Sequence, residues 1–100
     1  MSRVEQAATS AIVDPVVQTF RSEIASLDAR LLATVNERIA AVAQLHRYKA
    51  AQGIRLRDEV REQEMLDYLA ALNSGPLSSA GLVELYEFVL ELVRREAAGA

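Results

Sequence analysis

Apolar residues recur at Val17, Phe20, Ile24, Leu27, Leu31, Val35, Ile39, Val42 and Leu45, in steps of three and four. That spacing returns every one of them to the same stripe of an α-helix. Asp14-Pro15 supplies the start signal, an N-cap carboxylate ahead of a proline at the first helical position. Neither glycine nor proline interrupts the pattern again until Gly53, so one helix is expected over about 15–51. It would be about 55 Å long, well beyond the diameter of a globule of 100 residues. The rest of the chain is too short to cover such a seam. A second copy is therefore expected, in an obligate homodimer whose long helices pack along each other.

Gly53-Ile54-Arg55-Leu56-Arg57 reads as a short extended connection. A second helix is expected from Asp58 or Glu59 through Val60, Met65, Leu66, Leu69 and Leu72, closed by the break Asn73-Ser74-Gly75-Pro76. Ser78 or Ser79 can cap a third helix, with Leu82, Leu85, Phe88, Val89, Leu92 and Val93 facing inward. Met65 and Phe88 are expected in the core, and the terminal Ala-Ala-Gly-Ala is expected to fray. Residues 1–13, rich in Ser, Ala and Gln, read as a disordered leader, which leaves 14–100 as the domain. The fold class is all-α, with three helices per chain and the first much the longest.

Composition narrows the function. A net charge of −3 argues against nucleic acid, whose binders carry a basic excess. There is no cysteine, so no disulfide or thiolate metal site is possible and a reducing cytoplasm is the default. No apolar run is long enough to span a membrane, and the N-terminus lacks the apolar core of a secretory signal.

Six charged residues stand out: Arg21, Arg38, Lys49, Asp58, Arg61 and Glu62. Arg38 and Lys49 lie about three helical turns apart on one face, roughly 16 Å from each other. Arg61 and Glu62 follow Asp58 at i+3 and i+4, on one side of the next helix. Several cations with one or two carboxylates suit a small, doubly anionic, hydroxylated ligand. Fixed charge rather than a nucleophile, metal or cofactor would then carry any chemistry. Composition alone would make Arg38 and Lys49 solvated helix charges, and Asp58, Arg61 and Glu62 the charges of a first turn. Arg55 and Arg57 read as solvated loop charges, Asp28 as structural, and His46 as an ordinary histidine.

Ordered along the chain, Phe20-Arg21-Ser22-Glu23-Ile24, Leu27-Asp28, Leu31-Leu32, Arg38, Lys49 and Asp58-Glu59-Val60-Arg61-Glu62 resemble the all-helical chorismate mutases. The likeness runs without a gap over about residues 20–66 and more loosely through the third helix. It implies an intertwined homodimer that converts chorismate to prephenate without a cofactor. It further implies that Arg21 of one subunit and Arg38 of the other grip the two carboxylates. Lys49 would face the ether oxygen and a carboxylate, and Glu62 would accept from the ring hydroxyl. Asp58 and Arg61 would complete the wall. Arg21 and Arg38 are separated by about 25 Å of helix, too far to share a small substrate within one chain.

The third helix departs from the family. Many members place a Ser and, four residues on, a Gln or Glu there to hold the ether oxygen. In this chain those places fall on Val93 and Ala97, with Glu96 one position off, about 100° around the helix. Such a departure fits weak activity, a related substrate, or activation by docking to another shikimate-pathway enzyme, as some small relatives require. The competing functions are isochorismate pyruvate lyase or 4-amino-4-deoxychorismate mutase on the same scaffold, and a non-catalytic helical dimerisation module.

Overall fold

The computed structural model describes residues 14–100; the leader expected over 1–13 lies outside them. Three helices follow in order: α1 (Pro15–Gln52), α2 (Glu59–Leu72) and α3 (Ser79–Ala98). Among the described residues there is no strand. The all-α expectation therefore stands, with helix boundaries set by local chemistry. Asp14 Oδ1 accepts from the backbone N–H groups of Val16 and Val17, satisfying donors that the first turn of α1 leaves open. At the other end Gly53 adopts φ 70°. The Gly53 N–H bonds to the Ala50 carbonyl and the Ile54 N–H to the Lys49 carbonyl, a paired closure that needs a left-handed residue. Asp58 caps α2 through the Arg61 N–H, and Ser78 caps α3 through the Gly81 N–H.

The chain divides into two compact units within α1, after Val35. Residues 14–35 are a bare helical segment with no buried residue, and Val16, Phe20, Ile24, Leu27, Leu31 and Leu32 are all more than half exposed. Residues 36–100 have a core of Ala43, Leu82, Tyr86, Val93 and Ala97. In this unit α2 packs against α3. Val93 is the most deeply enclosed, at 1% exposure.

Two expectations for the third helix are corrected. Its inward stripe is Leu82, Tyr86, Val93 and Ala97, while Leu85 and Phe88 are exposed. Between Leu82 and Val93 every position of this helix except the glutamates is apolar, so two overlapping stripes satisfy the helical period and Tyr86 competes with Leu85 for the interior. Met65, also expected in the core, is half-buried. The C-terminus does not fray where expected: α3 continues through Ala98 and Ala97 is buried. Alanine is the best helix former, and burial of Ala97 adds packing to that preference. Among the described residues no helix is long and apolar enough to cross a membrane.

Candidate active site

The unit 36–100 contains a cleft of about 140 Å³ that gathers five of the six singled-out residues: Arg38, Lys49, Asp58, Arg61 and Glu62. The C-terminal part of α1 contributes Arg38, Val42 and Lys49, the connection contributes Leu56, and the first turn of α2 contributes Arg61 and Glu62 beyond its cap. Leu90, Val93 and Arg94 of α3 close the remaining side. Arg21 is not among the lining residues; it lies on α1 in the segment 14–35 and is exposed.

How far each charge is already committed decides what it can offer a ligand. Among the described residues, no hydrogen bond or ion pair engages the Arg38 guanidinium. Lys49 Nζ donates to the Leu56 carbonyl at 3.2 Å, which uses one of three donors and pulls the ammonium toward the connection. Arg61 makes a loose 3.8 Å pair with Glu64, both exposed. Such a pair adds little stability and is easily exchanged for another anion. Asp58 Oδ1 is occupied by its capping bond from the Arg61 N–H at 3.0 Å.

Glu62 is the most enclosed of the paired charges, its side chain 23% exposed. Arg57 Nη2 donates to its Oε1 at 3.2 Å and Arg94 Nη2 to its Oε2 at 3.3 Å. Arg57 therefore does more than the solvated loop charge expected of it. Arg94 was not legible as a site residue at all. It lies 32 positions from Glu62, and no local spacing links residues across two helices and a loop. Its one sequence signal is Glu91 three residues earlier, to which Nη1 donates at 2.9 Å.

The three third-helix candidates for the ether-oxygen contact resolve differently. Val93 reaches the cleft and presents only carbon. Ala97 is buried, and Glu96 is exposed and paired with Arg95 at 3.6 Å. What α3 gives the cleft in polar form is Arg94. Counting side chains, four cations (Arg38, Lys49, Arg61, Arg94) face two carboxylates (Asp58, Glu62), a surplus of two positive charges. A surplus of that size in a confined hollow favours a dianion.

The family model for chorismate mutase type II matches residues 20–97. The chain belongs to that family. No curated protein matches it closely enough to stand as a relative. The match begins at Phe20, one residue before Arg21, and ends at Ala97, the last buried residue of α3. It takes in α1 from Phe20, all of α2, α3 through Ala97 and every lining residue of the cleft. Membership in the chorismate mutase type II family supports mutase-type chemistry on an all-helical scaffold.

Proposed function

We propose that the protein is a chorismate mutase, converting chorismate to prephenate in the Arg38–Lys49–Arg61 cleft, as an obligate homodimer that receives Arg21 from the partner copy. The observation that carries this reading is the double cationic surplus within one cleft, matched to a substrate with two carboxylates. Arg38, unpaired among the described residues, takes one carboxylate through its planar fork. Arg21 of the second copy takes the other. Lys49 faces the ether oxygen with its uncommitted donors, Glu62 accepts from the ring hydroxyl, and Asp58 and Arg61 complete the wall. The rearrangement is intramolecular: the ether C–O bond breaks as the new C–C bond forms, and nothing enters or leaves. The protein has to hold a compact conformer with the reacting carbons close. It must also set positive charge where the breaking bond leaves negative charge on oxygen.

Residues 14–35 support the second copy. Four seam residues of that segment, Phe20, Ile24, Leu27 and Leu31, are exposed, and covering them is worth about 5 kcal/mol per chain. Most helical stability in proteins comes from packing an apolar face rather than from propensity, so a partner surface would stabilise the segment that carries Arg21. A cytoplasmic setting fits the cysteine-free composition. Incubating the purified protein with chorismate, isochorismate and 4-amino-4-deoxychorismate tests the assignment. Conversion of chorismate to prephenate is expected. Release of pyruvate from isochorismate without chorismate turnover would assign the cleft to the lyase reaction, and inertness toward all three would leave a dimerisation module.

A further inference from the structure

Glu62, the proposed acceptor for the ring hydroxyl, already has a guanidinium on each carboxylate oxygen: Arg57 on Oε1 at 3.2 Å and Arg94 on Oε2 at 3.3 Å. Arg94 is itself fixed, since its Nη1 donates to Glu91 at 2.9 Å. The bridge from Glu91 through Arg94 to Glu62 ties α3 to α2 and sets the direction in which Glu62 points. Each carboxylate oxygen has a second lone pair, so Glu62 can accept one more hydrogen bond. Its charge, however, is already engaged by two guanidinium groups, which are themselves shared with Glu59 at 3.9 Å from Arg57 and with Glu91 at 2.9 Å from Arg94. A neutral hydroxyl arriving there meets an oriented acceptor. An alkylamine arrives as an ammonium at neutral pH. It then meets Arg94 at close range, in a cleft that also holds Arg38, Lys49 and Arg61. Like charges within a few ångströms of one another oppose binding.

We infer that Arg94 is a specificity-determining residue: acting through Glu62 together with Arg57, it makes this subsite select a neutral hydroxyl over an amine on the same carbon skeleton. The inference rests on the mutase reading of the cleft. It also gives a role to the third-helix position beside Val93, where the family's usual polar side chain is replaced by carbon.

The test compares kcat/KM for chorismate and for 4-amino-4-deoxychorismate in the full-length native protein, Arg94→Gln and Arg94→Lys. Both substrates are measured on one preparation, so any loss of folded enzyme cancels in the ratio. In Arg94→Gln the preference for the hydroxyl substrate is expected to fall about tenfold or more, chiefly through a lower KM for the amine. Arg94→Lys keeps the cation and should keep the native preference within about threefold. A preference unchanged in Arg94→Gln, or a proportional loss of both activities, would overturn the inference and leave the mutase assignment intact. A native protein inert toward both substrates would instead remove the assignment on which the inference rests.

Discussion

In residues 36–100 five side chains are buried and a charged cleft is walled from three helices; in residues 14–35 nothing is buried and six large apolar side chains lie exposed along one helix. The two regions share a helix but not a source of stability. The first holds its cations in place with its own core and with bridges such as Glu62–Arg94. The second rests on helical hydrogen bonds, the Asp14 cap and the weak preference of its residues for helix. Yet the second carries Arg21, which the proposed mechanism takes from the partner copy. An apolar seam left uncovered on the segment that carries Arg21 is one that a second copy, in the proposed dimer, would cover while bringing that arginine.

The largest effect is expected inside the cleft. Arg38→Ala and Lys49→Ala should each lower kcat/KM for chorismate by about 10²–10³, measured as the rate of chorismate disappearance. Lys49→Ala should act mainly on kcat, because the ether oxygen gains its charge only as the bond breaks. Arg38→Ala should raise KM as well. Retention of full activity by either variant would move the protein to the non-catalytic reading.

The next effect breaks the other region. Leu27 is about half exposed, at 52%, so Leu27→Glu should hardly affect a monomer. In a dimer it buries an unpaired carboxylate against the partner's seam, which costs several kcal/mol. Sedimentation equilibrium should show the dimer dissociation constant raised about 100-fold or more, and activity at micromolar concentration should fall with it. An unaltered sedimentation profile with full activity would deny the seam any role in assembly.

Complementation sharpens the comparison because it asks which copy supplies which cation. Arg21→Ala and Arg38→Ala homodimers should both be nearly inactive. After mixing and exchange, half of the dimers are mixed, and each mixed dimer has one site with both arginines intact if Arg21 acts in trans. About a quarter of native activity should therefore return. If the two arginines served one site in the same chain, mixing would restore none.

These regions also differed in how much the sequence disclosed. Both ends of α1 and the starts of α2 and α3 were legible because Asp14, Gly53, Asp58 and Ser78 act on backbone groups within a few residues of themselves. Arg38, Lys49, Asp58, Arg61 and Glu62 were legible as a set, and the cleft contains all five. The inward face of α3 was not. Leu85, Tyr86, Phe88 and Val89 all fit a helical stripe, and only tertiary packing decides that Tyr86 goes in and Phe88 stays out. Arg94 was hidden for a related reason: a salt bridge between distant helices depends on their approach, which no periodicity encodes.

The smallest effect separates two duties of one residue. Asp58 caps α2 through the Arg61 N–H at 3.0 Å and also lines the cleft. Asparagine caps about as well as aspartate, whereas alanine costs about 1 kcal/mol, or about 4–8 °C in Tm for a domain of this size. Asp58→Ala should therefore melt earlier, and Asp58→Asn should lose only a few tenths of a kcal/mol, from its weaker interaction with the helix dipole. Catalysis should respond in another order. Asn keeps the first turn that aims Arg61 and Glu62 but removes a negative charge from a hollow that takes a dianion, so KM for chorismate should fall by about two- to fivefold. Ala removes the charge and the cap together, so any gain in binding is offset by a loosened first turn. If Asn raised KM as much as Ala, the carboxylate would be contacting substrate as an acceptor, and its place would be beside Glu62 rather than in the cap alone.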